Sequence, residues 1–112
     1  MANRRRGEIA AIIAGRSYTL CLTLGALAEL ETAFAVDDLT ALGARFGSGQ
    51  ISAEDLIRLV GAGVRGGGQR ITDEEIRAWP GACLPEMAAA LAELLAATFG
   101  EDRANPPGPQ AA

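Results

Sequence analysis

A single change of hydrophobic period, at Thr23, constrains this chain more than any other feature. From Ser17 to Thr23 the residues alternate, with Tyr18, Leu20 and Leu22 on one side and Ser17, Thr19, Cys21 and Thr23 on the other. That is the pattern of a half-buried strand. Beyond Thr23 the apolar spacing becomes helical and stays so. Gly15, between Ile13 and Tyr18, supplies the backbone freedom of a tight turn. The spacing therefore predicts a β-hairpin from Glu8–Ala14 and Arg16–Leu22. A lone two-stranded hairpin is marginal in water, so it must pack on the helices that follow.

Those helices announce themselves by stripes and caps. Leu24, Leu27, Ala28, Leu30 and Phe34 form one apolar stripe behind a Thr23 N-cap. Asp37 and Asp38 open a short helix carrying Leu39, Leu42 and Phe46, which Gly47 and Gly49 close. Ile51-Ser52-Ala53-Glu54-Asp55-Leu56 and Ile71-Thr72-Asp73-Glu74-Glu75-Ile76 share one grammar: a capping hydroxyl, an acid three residues on, and flanking apolar residues as a staple. The first of these helices runs to about Arg65 and stops at Gly66-Gly67-Gly68. The second stops at Trp79-Pro80-Gly81. A last helix starts near Pro85, with Leu84, Met87, Leu91, Leu94, Leu95 and Thr98 on one side. Glu86, Ala89, Ala90, Glu93 and Ala97 take the other side. The predicted class is α+β: a hairpin on about five short helices. Residues 1–6 form a charged lead-in, 7–100 one domain, and 101–112 a disordered Pro-rich tail. The expected core is Tyr18, Leu20, Leu22, Leu27, Leu30, Phe34, Leu42, Phe46, Leu56, Val60, Ile76, Leu91 and Leu95.

Composition narrows the function. Apolar residues make 49% of the 112 and charged residues 21%, which excludes wholesale disorder. All ten bases are Arg and there is no His. Histidine triads and histidine-ligated metals are thereby excluded. A net charge of −4 and 4% aromatics argue against nucleic acid as a partner. Arg4, Arg5 and Arg6 are too few to neutralise more than a few phosphates, and read as a solvated terminus. Cys21 and Cys83 lack any metal-ligand spacing; buried free thiols are expected, with a single disulfide as the open alternative. The run Ile9–Ala14 is too short for a signal peptide, and no segment reads as a membrane span. The expected location is the cytoplasm.

Three patterns bear on chemistry. Placing Ile51 at the eighth position of a calcium loop puts Ala44 and Phe46 where carboxylates are needed, and placing Ile71 there puts Val64, Gly66 and Gly68 at ligand positions. Both loops fail, and the capping reading stands. Gly66-Gly67-Gly68 between Arg65 and Arg70 has neither the Lys nor the preceding strand of a phosphate loop. It reads as a flexible helix terminator with solvated arginines, or as a mobile loop that meets a protein partner. Adjacent acids such as Asp37-Asp38 and Glu74-Glu75 do not face one another and make poor acid–base pairs. No catalytic constellation, cofactor site or metal site is expected.

The string Gly15-Arg16-Ser17-Tyr18-Thr19-Leu20-Cys21-Leu22-Thr23-Leu24-Gly25-Ala26-Leu27-Ala28-Glu29-Leu30-Glu31 resembles the signature of a small phage-derived tail protein family. That family belongs to gene transfer agents and related siphophage-like tails. The order continues with Ser52-Ala53-Glu54-Asp55, Gly66-Gly67-Gly68, Thr72-Asp73-Glu74-Glu75 and a terminal Phe99-Gly100, so the resemblance covers roughly residues 7–100. Members are described as tail tube-like proteins and as tail assembly chaperones. The resemblance implies a job in building a phage-like tail, with tape-measure or tube proteins as partners and self-association left open. It implies a bacterial cytoplasmic protein, with incorporation in a phage-like particle as the alternative. The chaperone reading stands first, a structural subunit second and a small regulatory adaptor third. The expected contact surface is the hairpin edge with Ile9, Ile12 and Ile13, of which Ile12 must face away from the other two, unless a helix packs on each side, an equal alternative; with it go Arg65, Gly66, Gly67 and Gly68.

Overall fold

The computed structural model describes residues 6–47 and 50–100. Strands β1 (Glu8–Ile13) and β2 (Arg16–Cys21) pair antiparallel, in a register that runs from Glu8–Cys21 to Ile13–Arg16. Five helices follow: α1 (Leu24–Phe34), α2 (Leu39–Gly47), α3 (Ala53–Gly66), α4 (Asp73–Arg77) and α5 (Leu84–Phe99). A 3-10 turn, Gly81–Cys83, leads into α5. The architecture is the expected α+β hairpin on five helices. The readings for Arg4, Arg5, Gly49 and the 101–112 tail lie outside the described residues.

The caps work as read. The Thr23 hydroxyl accepts from the Ala26 N–H at 3.0 Å, and Asp38 Oδ1 from the Ala41 N–H at 2.8 Å. Both boxes close reciprocally. The Asp55 N–H donates to Ser52 Oγ and the Ser52 N–H to Asp55 Oδ2, each at 3.1 Å. The Glu75 N–H donates to Thr72 Oγ1 at 3.1 Å and the Thr72 N–H to Glu75 Oε1 at 2.8 Å. Each box satisfies two backbone donors that a helix start otherwise leaves unpaired.

Helix α3 is the centre of the core. Its Leu59, Val60, Ala62 and Val64 are wholly buried, and it touches β2, α1, α4 and α5. Helix α5 lies along β1. Phe34 and Phe46 meet edge to face at 5.0 Å, and Tyr18 and Trp79 tilt together at 5.7 Å.

Several expectations are corrected. Leu24 is 81% exposed, because α1 buries Ala26, Leu27 and Leu30, an arc turned away from its first residue. Leu39 is also exposed, while Leu42 and Phe46 of the same helix are buried. Ala90, assigned to the outer side of α5, is buried with Met87, Leu91 and Leu94, because both β1 and α3 cover that helix. Phe34 and Leu95 are only partly buried. The segment Gly81–Phe99 is long and apolar enough to pass for a membrane span, contrary to the reading above. Its buried face packs on the hairpin and α3, and 28% of its apolar stretch is buried.

Candidate partner-binding surfaces

The hairpin turns on two residues, Ala14 and Gly15, with φ of 56° and 79°. Positive φ at both central positions defines a type I′ turn, whose twist suits the strands it joins. In a two-residue hairpin the flanking pair exchanges both backbone hydrogen bonds. Ile13–Arg16, Ala11–Tyr18 and Ile9–Leu20 are therefore the bonded pairs. The N–H and C=O groups of Glu8, Ala10 and Ile12 point out from β1, and those of Ser17, Thr19 and Cys21 out from β2. Ile9 and Ile13 are buried, and Ile12 is 65% exposed on the opposite face, beside an exposed Ala10. The Ala14 N–H donates to Glu86 Oε1 at 3.1 Å, which ties the turn to α5.

The two edges of the hairpin differ. The end of α3 lies against β2 so closely that a Cβ on Gly66 would strike the Cys21 carbonyl, and one on Gly67 the Thr19 carbonyl. Gly66 and Gly67 are thus the residues that let a helix seal a strand edge. This corrects the reading of a flexible terminator: of the three glycines only Gly68, with φ of 106°, is exposed. On β1, along which α5 packs, Ala10 and Ile12 make no backbone hydrogen bond beyond the ladder among the described residues.

Arg65 is not solvated either. Its guanidinium pairs with Asp73 at 3.0 Å and with Glu29, and donates to the Ile71 carbonyl at 3.0 Å. Burial works against its charge, but Asp73 and Glu29 outweigh that and raise its pKa. One side chain thereby links α1, α3 and the start of α4. The expected contact residues fall into two groups on opposite edges of the hairpin. Ile9, Ile12 and Ile13 belong to β1, and of the three only Ile12 is exposed. Arg65, Gly66 and Gly67 serve the closed β2 side. A polar notch of about 610 Å³ beside Gly68 is lined by Gln69, Arg70, Thr72 and Glu75.

The sequence reading missed an apolar groove. Phe46, Ile51, Leu56, Leu84, Leu91 and Leu95 line an open trough of about 470 Å³ between the α2–α3 junction and α5. Leu84 is half exposed there. The signal was present: Leu84, Ala88, Leu91 and Leu95 repeat at i, i+4, i+7 and i+11, beside the arc of Met87, Ala90 and Leu94. An apolar arc that wide serves two surfaces. Beside the groove Arg45 bridges to Asp55 at 2.9 Å, with its guanidinium 5.6–5.7 Å from the Phe34 and Phe46 ring centres. Burial pushes Asp55 upward, but the Ser52 N–H and hydroxyl and the Arg45 cation outweigh it and hold the carboxyl below its ordinary range.

Cys21 and Cys83 are free and buried. The Cys21 Sγ–H donates to the Arg6 carbonyl at 3.5 Å, and burial, with Glu8 nearby, pushes the thiol pKa up.

A family model described as phage tail tube protein, GTA-gp10, matches residues 6–101. No curated protein and no solved structure matches the chain. The match spans the hairpin, all five helices and both capping boxes, so the chain belongs to the GTA-gp10 phage tail tube protein family of gene transfer agents.

Proposed function

We propose that this protein is a tail assembly chaperone that holds the helical tape-measure protein before the tube forms around it, and that it has no enzymatic activity. One observation carries the reading: β2 is closed by α3, so copies cannot join hairpin to hairpin into a continuous wall. A tube wall built by sheet extension needs two free edges on every subunit. The groove offers the complementary surface for a helical client. Leu84, Ala88, Leu91 and Leu95 cover three turns of α5, a length of about 16 Å, enough to seat a few turns of one amphipathic helix.

The test is co-purification with the tape-measure protein. Leu84→Glu puts a charge on an exposed groove residue, so the monomer should stay folded while capture falls by about tenfold or more. Unchanged capture by a folded variant would refute the groove as the client site. A second reading, a structural subunit retained in the tail, is supported by the family's own description as a tail tube protein. Quantitative mass spectrometry of purified particles separates the two, since a chaperone is scarce there and a tube subunit is present in many copies.

A further inference from the structure

We infer that α2 is a releasable strap, which occupies part of the apolar groove and leaves it when a helical client enters. The inference rests on the groove reading above and adds its regulation. Helix α2 is nine residues long and includes Gly43 and Gly47. Its Leu42 and Phe46 are buried, while Leu39, Thr40 and Ala44 are exposed. It packs chiefly on α1. Both of its flanks are hollow. On one, Phe46 lines the trough of about 470 Å³ with Leu56, Leu91 and Leu95. On the other, Leu39 and Gly43 line a second hollow of about 530 Å³ with Leu27 and Phe99.

The strap has the chemistry of the client it excludes. Leu39, Leu42 and Phe46 stand at i, i+3 and i+7, the spacing by which an amphipathic helix enters an apolar groove. Leu42 and Phe46 belong to the core cluster, and Phe46 meets Phe34 edge to face. A client with the same stripe, and an aromatic residue in the place of Phe46, replaces what α2 gives up. The tie at the end of α2 is polar. Arg45 donates to Asp55 at 2.9 Å and to the Gln50 carbonyl at 3.2 Å, and its side chain is 39% exposed, so water takes over its donors on release. Asp55 keeps its bonds with Ser52 when Arg45 departs, and the start of α3 stays capped. Once free, so short a helix is marginal in water, and its glycines weaken it further. Release therefore unwinds α2 while the α3–α5 pair remains.

Native-state hydrogen exchange on the protein alone tests the release. The amides of Leu42 to Phe46 should exchange at least about tenfold faster than those of Leu59 to Val64 in α3. One protection level shared by both helices would mean that α2 opens only when the whole chain unfolds, and overturns the proposal whatever the tail role. Two variants move the balance in opposite directions. Gly43→Ala adds helix propensity where a Cβ meets nothing within 4 Å, so it favours the seated helix. It should slow α2 exchange and weaken capture of the co-expressed tape-measure protein, each by up to about fivefold. Arg45→Gln removes the polar tie and should do the reverse, with faster α2 exchange and stronger capture. A fixed wall of the groove gives the contrary sign, because loosening it takes a surface from the client. Faster exchange with weaker capture in Arg45→Gln therefore overturns the proposal, as does stronger capture in Gly43→Ala. Absence of capture by the wild type and both variants, with the exchange difference intact, refutes the client reading instead and leaves the release of α2 standing.

Discussion

Ala14 holds a conformation its side chain disfavours. At φ 56° a Cβ sits close to the following carbonyl, and only glycine, asparagine and aspartate take up this region readily. The residue is exposed, and what it gives the fold is its N–H, which Glu86 accepts. Ala14→Asn creates the Asn-Gly pair that type I′ turns favour and keeps that N–H. It should stabilise the protein by about 0.5–1 kcal/mol, a rise of about 3–6 °C in a thermal melt. An unchanged or lower midpoint would mean that the turn carries no strain. The sequence revealed that a turn lay at Gly15 but not that Ala14 shared the burden. A left-handed alanine leaves no compositional mark, and only the register of the paired strands places it at the first turn position.

Between elements, polar ties do what the stripes do not. Asp55 closes its own helix start through Ser52 and reaches back to Arg45 on α2, fixing the wall of the groove. The folded chain depresses its pKa, so it favours the ionised form more than the unfolded chain does. This contribution is complete above the ordinary aspartate range near about 4, and disappears as the pH falls through the lower folded value. Asp55→Asn should therefore cost about 1–3 kcal/mol at neutral pH, and should flatten the acid limb of stability below about pH 4. Urea titrations of both proteins between about pH 2 and 7 give the comparison. Parallel curves would show that Asp55 carries none of the acid sensitivity. Both capping boxes were readable because their partners are three residues apart. Arg45 and Arg65 were not, because their acids lie on other helices and only packing brings them together. For the same reason Arg65 looked like a solvated charge beside the glycines.

At the scale of the molecule, the decisive contact is α3 against β2. In sequence Gly66-Gly67-Gly68 is a helix breaker, and nothing local shows that Thr19 and Cys21 are what the first two glycines touch. The hairpin, the helix count and most of the core followed from periodicity, which is a local property. The asymmetry of the hairpin did not, since it depends on where a distant helix ends. Gly67→Ala drives a methyl into the Thr19 carbonyl, which is backbone and cannot rotate away. It should cost about 1–3 kcal/mol by chemical denaturation, and no loss would mean that α3 can slide without penalty. The wild type's state has a plain meaning in the terms of polymer chemistry. A monomer with two reactive ends propagates, and a monomer with one terminates. With α3 in place β2 offers no reactive edge, so the hairpin cannot propagate a sheet on that side. The glycines at the end of α3 act as a stopper on the β2 side of the hairpin.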